Sequence, residues 1–505
     1  MCFRNFRKHD GEDKYMKKTV CILLTALLLI TLCSCGAKKP QGSEHEEAVI
    51  FPKSDALVGD TMPFFENGKM YIYYLADQRD GKLGYHPWAL LRTDDYWNYE
   101  DLGVVLPYGA DAHDQDIALG TGCVMKDKQG LYHAFYTGHN DYYEPKEAIM
   151  HATSSDMLNW TKIPGDTFIA SDSYSKNDFR DPYVFYVEEE QRYWMLLTTR
   201  TPETGVIVRY CSTDLSKWTD EGILFTDDMG YATNMECPSL LKFGSKWYLC
   251  FSDQWPDRVV HYRVADSPNG PFTKPEQDTF DSNGFYAGRL ETDGERLYLV
   301  GWNGTKIGHD DVNDYDWGGN AVVHQLVQKE DGTLRAVANE KVVKGLDHPA
   351  EMKPVRMTDT VKVNKGDLTM SGKLFEMVRY EALERTSRIE ADLSGFSGDG
   401  SFGFAFAPDV ENVGAMSFVF SPAEKLVKFY NIENVVEEDP QSSMPFDFSG
   451  RDKIHVTLFI GDGVASLYVD NELALTARMY HSLGTDWELF GVNSGVTWSN
   501  VAVFD

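Results

Sequence analysis

Long apolar runs are scarce in this 505-residue chain. Beyond Thr19–Leu32 no stretch is apolar enough to cross a bilayer, which argues against a membrane-spanning bundle. Basic charge is also short, with 48 Lys and Arg against 78 Asp and Glu, a formal charge of −30. That deficit argues against nucleic acid, whose phosphates need Lys and Arg. Cysteine is sparse, and Cys123, Cys211, Cys237 and Cys250 are widely spaced without a CxxC pair, so no zinc motif is present. Outside the cytosol these four form two disulfides in one of three pairings, or remain buried thiols in apolar strands. Helical periodicity is almost missing, which removes the helical folds. What the chain does have is 42% hydrophobic and 13% aromatic residues, too many for a disordered polymer. At roughly 100–200 residues per domain, it holds two or more domains with their own cores.

The N-terminal apolar run follows Met16-Lys17-Lys18 and ends at Leu32-Cys33-Ser34-Cys35-Gly36. It is too short to span and fits a secretory leader. Its ending resembles the lipobox of bacterial lipoproteins, which implies a leader over residues 1–35 with lipidation of Cys35. Cys33 is unusual two places before the cleavage point, and an ordinary signal peptide is the other reading. Residues 36–55 are polar and read as a tether. The expected location is extracytoplasmic, on the cell surface, with the membrane as partner through the lipid.

From there the chain repeats itself. A turn followed by an aromatic strand recurs at Lys69-Met70-Tyr71, Leu131-Tyr132-His133, Arg192-Tyr193-Trp194, Lys246-Trp247-Tyr248 and Arg296-Leu297-Tyr298, at intervals of 50–62 residues. A second element, Ser155-Asp156-Met157-Leu158-Asn159-Trp160, returns as Thr213-Asp214-Leu215-Ser216-Lys217-Trp218, with Thr93-Asp94-Asp95-Tyr96 and Ala265-Asp266-Ser267 as weaker copies. Five units of this length, each sufficient for four short strands, predict an all-β, five-bladed β-propeller over 56–348. An irregular sandwich with chance turn similarity is the alternative. The repeat then stops. Alternating strands such as Phe402–Phe406, Ile454–Ile460 and Ala465–Val469, with Gly461-Asp462-Gly463 as a hairpin turn, predict a C-terminal β-sandwich over 349–505.

In a propeller the first strands of all blades converge on the axis. Counting back about ten residues from each repeat position reaches Asp60, Thr121, Asp181, Glu236 and Tyr286. Three of the five are carboxylates, placed equivalently in three blades. Acids gathered at an axis repel each other and lose water, so at least one pKa must rise. Glycosidases divide labour in this way, with an ionised carboxylate as nucleophile and a protonated one as general acid. Arg180 is expected to hold Asp181 ionised by its opposite charge. Trp88 and Trp302 are candidates for stacking on sugar faces, and Tyr286 for a hydrogen bond to the acids. Asp310, Asp311, Asn313, Asp314 and Asp316 form an acidic loop that lacks the closing Glu of a calcium-binding loop. His113-Asp114-Gln115-Asp116 reads as a polar loop beside the pocket.

Arg180-Asp181-Pro182 and Glu236-Cys237 resemble the Arg-Asp-Pro and Glu-Cys motifs of glycoside hydrolase family 32, the invertases, levanases and inulinases. The similarity runs on through Phe285-Tyr286-Ala287-Gly288, Leu299-Val300-Gly301-Trp302-Asn303, Trp317-Gly318-Gly319 and Leu473-Ala474-Leu475-Thr476-Ala477-Arg478-Met479-Tyr480. The resemblance implies a retaining hydrolase of β-fructofuranosides, needing no metal or organic cofactor. Asp60 would be nucleophile and Glu236 acid/base. Asp181 would stabilise the transition state, and Arg180, Thr121, Trp88, Tyr286 and Trp302 would contact an oligo- or polysaccharide.

The sequence departs from the family around these acids. The family's Asn-Asp-Pro-Asn-Gly is Gly59-Asp60-Thr61-Met62-Pro63 here, its Phe-Ser-Gly-Ser is Gly120-Thr121-Gly122-Cys123, and its Trp-Gly-His stretch is reduced to His86-Pro87-Trp88-Ala89. Two alternatives stay open: a related propeller glycosidase for arabinosides or other furanosides, and a surface lipoprotein that binds fructan without cutting it.

Overall fold

The computed structural model describes residues 48–78, 85–254, 256–397, 399–408, 416–431 and 439–505. The leader, Cys35 and most of the tether lie outside the described residues. Among those described, one six-residue helix, Glu340–Gly345, and two 3-10 turns interrupt an otherwise β structure. No helix among them is long and apolar enough to cross a membrane.

Consecutive antiparallel strands fall into sets, each opening with a strand near the axis. These inner strands are Leu57–Glu66, Ala118–Lys126, Arg180–Val187, Met235–Phe243 and Tyr286–Thr292. Each touches the next around a circle, and the last returns to the first. The circle is closed in sequence terms by a splice, because Tyr315–Gln328 of the last set pairs with Leu57–Glu66 at Val58 and Gly319. The aromatic repeats of the sequence are the second strands, Lys69–Asp77, Tyr132–His139, Arg192–Arg200, Lys246–Asp253 and Leu297–Lys306. Their aromatic and β-branched side chains are buried between neighbouring sets, which is why the same composition recurs.

The second repeated element is a cap. Thr93, Ser154 and Ser212 accept from the backbone N–H three residues on, at 2.8–2.9 Å. Asp95, Asp156 and Asp214 then accept from two further N–H groups each. Tyr96, Met157 and Leu215 sit at φ 65–66° in all three. The side-chain oxygens replace the ladder that the backbone abandons at the turn.

One irregularity is common to every inner strand. The pairing register slips at Gly59-Asp60, Gly120-Thr121, Asp181-Pro182, Cys237-Pro238 and Ala287-Gly288. A β-bulge bends the strand and re-aims a side chain. Asp181, Cys237 and Ala287 take positive φ there, at 60°, 53° and 52°. The slip falls on or directly beside the residue that sequence counting placed at the axis.

The propeller is followed by a β-sandwich. One sheet runs through Gly495–Phe504, Ser387–Ser397, Lys453–Gly461, Val464–Val469 and Leu473–Arg478. The facing sheet includes Glu376–Tyr380, Trp487–Val492, Ser401–Phe406 and Met416–Ser421. Phe402, Phe404, Phe418, Phe420, Leu458, Leu467 and Trp498 interdigitate between them. The expected hairpin is present, with Gly461 paired to Val464 and Asp462-Gly463 both at positive φ, as a two-residue turn of the favoured twist requires.

Propeller and sandwich share a polar seam. Arg478, 2% exposed, donates Nε to Gly304 O (2.9 Å), Nη2 to Asn303 O (2.8 Å) and Nη1 to Asn320 Oδ1 (2.9 Å). Thr476 N donates to Asp281 Oδ1 at 2.8 Å, and His324 Nδ1 meets Tyr468 OH at 2.8 Å. The acidic loop also faces this seam: Asp311 accepts from Tyr480 N at 2.8 Å and contacts His481 Nδ1 at 2.6 Å. Cys123, Cys211, Cys237 and Cys250 are buried and free.

Candidate active site

The five axial residues meet through a circuit of hydrogen bonds that visits every inner strand. Thr121 Oγ1 donates to Asp60 Oδ2 at 2.7 Å. Thr137 Oγ1 donates to Thr121 O at 3.1 Å and accepts from Asp181 N at 3.0 Å. Asp181 Oδ2 accepts from Cys237 N at 2.9 Å, the amide next to Glu236. Tyr286 OH donates to Glu236 Oε2 at 2.6 Å. Trp302, the strand-ladder partner of Tyr286, returns the circuit to its start by donating Nε1 to Asp60 Oδ1 at 3.1 Å.

Each carboxyl sits above its ordinary pKa, and burial is the main cause for all three. Glu236 adds repulsion to Asp60, Asp60 to Asp181, and Asp181 to Glu236, so the acids are electrostatic neighbours. Donors from Thr121 and Trp302 oppose the rise at Asp60 and occupy one of its oxygens each. Both donors stabilise the ionised form, which is the form a nucleophile needs.

Arg180 behaves differently from expectation. Its Nη2 lies 3.0 Å from Glu236 Oε1, and its Nη1 lies 3.0 Å from Asp178 Oδ1 and 3.6 Å from Glu147 Oε2. The guanidinium therefore hydrogen-bonds the acid of the next blade, whereas Asp181 is held by a backbone amide. Asp181 is not kept at a low pKa by Arg180: the loss of water at a residue 3% exposed outweighs the attraction of Arg180 and Arg289.

Two tryptophans require correction. Trp88 has no exposed surface, donates Nε1 to Gly120 O at 3.0 Å, and packs against Tyr73 and Tyr136. It supports the strand that carries Thr121 and offers no face to a sugar. Trp302 is 1% exposed and is enclosed by Tyr286 and Trp317, with ring centroids 5.9 and 5.8 Å away. It serves Asp60 through its indole N–H rather than stacking on ligand.

Trp317, Arg289, Glu147 and Asp178 escaped the sequence reading. Trp317 stacks against His86 at 4.5 Å and covers Gly59, where a Cβ would stand 2.2 Å from its ring. Its signal was present in Trp317-Gly318-Gly319. Arg289, 1% exposed, reaches Gly122 O at 2.7 Å and Asp181 O at 3.4 Å. It lies three residues beyond Tyr286, further along the same inner strand. The loop His113–Asp116 is pinned by Asn140, which donates to Ala112 O and Asp114 O, and by Tyr143, which donates to His113 O.

Residues 58–337 match the family model described as the glycosyl hydrolases family 32 N-terminal domain. The chain is 23% identical over 436 residues to a sucrose-6-phosphate hydrolase of Staphylococcus xylosus, covering 78% of this chain and 84% of that one. Its fold is similar to that of a family 32 β-fructofuranosidase of Bombyx mori, with a TM-score of 0.66, 18% identity and coverage of 91% and 93%. It is likewise similar to an exo-inulinase of Aspergillus awamori, at a TM-score of 0.67, 14% identity and coverage of 91% and 97%. With the matched segment spanning more than half of the sequence and containing all five axial residues, the chain belongs to glycosyl hydrolase family 32.

Proposed function

We propose that this glycoside hydrolase cleaves β-fructofuranosidic bonds in sucrose, fructo-oligosaccharides or fructans by double displacement. Asp60 attacks the anomeric carbon of the fructosyl unit as the bond to the leaving oxygen breaks, and Glu236 gives that oxygen its proton. The fructosyl ester on Asp60 is then opened by water, whose proton returns to Glu236, so both residues are restored. Asp181 faces the developing positive charge. The observation that carries this reading is the closed circuit joining Asp60, Thr121, Asp181, Glu236, Tyr286 and Trp302. It fixes two carboxyls with different donors around one axis, which is the preorganisation such a reaction requires.

The test is incubation of the chain lacking residues 1–35 with sucrose, inulin, levan and an arabinan. Fructose release that disappears in both Asp60→Asn and Glu236→Gln supports the assignment. Arabinose release in its place moves the enzyme to another furanoside, and tight fructan binding without product overturns the hydrolase reading. The enzyme is further placed at the cell surface through a lipid on Cys35, a reading supported by the apolar run Thr19–Leu32 and the ending at Cys35-Gly36. Incorporation of labelled palmitate that Cys35→Ser abolishes tests it, and release of unlabelled protein overturns it.

A further inference from the structure

The inner strands that deliver the acids continue beyond them, and a pocket of about 290 Å³ opens along the same strands. None of Asp60, Asp181 or Glu236 lines it. Its lining begins two residues beyond the axial positions, at Met62, Cys123 and Tyr183, and runs to Glu66 and Glu291, roughly 7–20 Å along the strands at about 3.3 Å per residue. Arg289 belongs to the inner end of that lining. Two of its nitrogens are committed to Gly122 O and Asp181 O on the catalytic side, while its Nε is buried without a partner. A buried N–H left unpaired is uncommon and marks a place where a polar group is missing.

The lining has a consistent chemistry. Glu291 accepts from Thr292 N at 2.8 Å and makes no salt bridge among the described residues. Burial pushes its carboxyl up to about 8, so near neutral pH it both donates and accepts. Tyr183 adds a phenol of the same dual character. Phe64 and Phe185 are half-buried aromatic faces on the pocket wall. At the rim, Lys126 and Glu66 already neutralise each other at 2.7 Å. Hydroxyls that donate and accept, apolar C–H faces and one buried guanidinium with an unpaired N–H, that of Arg289, describe a hydroxyl-rich ring such as a sugar. The volume lies at the low end of small-molecule pockets, enough for one ring and too small for an oligosaccharide.

We propose that this pocket is a second, non-catalytic binding site for a neutral monosaccharide. Sugar hydroxyls pair with Glu291 and Tyr183, and the ring lies against Phe64 or Phe185. The site is separate from the acids, so its occupancy does not depend on turnover and stands or falls apart from the hydrolase assignment.

Equilibrium dialysis of radiolabelled fructose and glucose against the chain lacking residues 1–35 tests it. Binding of either sugar that survives in Asp60→Asn, weakens at least tenfold in Glu291→Leu and Tyr183→Phe, and is retained in Glu291→Gln supports the proposal. The Gln variant keeps a donor, an acceptor and the volume, so it separates lost contacts from lost folding. Sucrose hydrolysis by Glu291→Gln and Tyr183→Phe stays at the wild-type rate. Binding that is insensitive to both Glu291→Leu and Tyr183→Phe overturns the proposal. So does an absence of binding other than at the catalytic pocket, or retention of fructose 6-phosphate in preference to both neutral sugars.

Discussion

Trp302 donates its indole N–H to Asp60 Oδ1 from the strand that pairs with the one bearing Tyr286, and Tyr286 in turn donates to Glu236. One hairpin therefore addresses both carboxyls proposed for catalysis. Replacing Trp302 with Phe keeps the ring and removes the donor. The expected result is a fall of roughly fivefold in kcat on sucrose, the worth of one hydrogen bond of about 1 kcal/mol, with little change in KM. Asp60→Asn and Glu236→Gln should cost far more, on the order of 10²–10⁴-fold in kcat.

Tyr286 tunes the acid proposed as proton donor. Its hydroxyl stabilises the Glu236 carboxylate and opposes the rise that burial imposes. Tyr286→Phe removes that opposition, so the Glu236 pKa moves higher still. A general acid works protonated, and the alkaline limb of kcat/KM against pH should therefore shift to higher pH in the variant. An unmoved limb would show that Glu236 does not supply the proton.

Gly59 is required by the ring above it. A methyl group there would stand 2.2 Å from Trp317 Cη2, so Gly59→Ala must displace the indole that lies against Trp302 and His86. The expected outcome is a raised KM and lowered kcat for sucrose, with a stability loss of about 1–3 kcal/mol in denaturant unfolding.

Arg478 holds two propeller strands from the sandwich side. Arg478→Met leaves Gly304 O, Asn303 O and Asn320 Oδ1 buried without this donor set. Burial already draws the Arg478 pKa down to about 10, which shows how completely the group is removed from water. A loss of about 3–5 kcal/mol is expected, read as a lowered melting temperature.

His133 and His151 are buried against each other at 2.9 Å, flanked by Asp127 and Asp166. Burial lowers both pKa values from 6.5, despite the carboxylates. The unfolded chain therefore takes up protons first. The stability these residues contribute is complete above about pH 6.5 and is lost as pH falls below it. Melting temperatures measured from pH 7.5 downward should drop, and the drop should flatten in a His133→Gln, His151→Gln double variant.

The propeller was legible because its second strands are chemically alike, and five copies of one aromatic pattern reveal a period even where no residue is common to all five. Asp60, Thr121, Asp181, Glu236 and Tyr286 followed from that period by counting. Partner choice did not follow. Arg180 is adjacent to Asp181 in sequence and attracts it, but the register slip at Asp181-Pro182 re-aims the acid, and the guanidinium hydrogen-bonds Glu236 of the next blade. Trp88 was misplaced for a related reason: a tryptophan near an acid motif reads as a sugar platform until its burial is known. Arg289 carried no motif, and only the curvature of its strand brings it behind Asp181.

The register slip shared by the inner strands has a consequence for how such a site changes over time. Residues at the slip are excused from the ladder, so the sheet gains nothing from their identity and loses little when it changes. Asp60, Thr121 and Asp181 stand at the slip itself, whereas Glu236 and Tyr286 keep their ladder partners Ser252 and Trp302 directly beside it, so the pairing constrains the first three less than the last two.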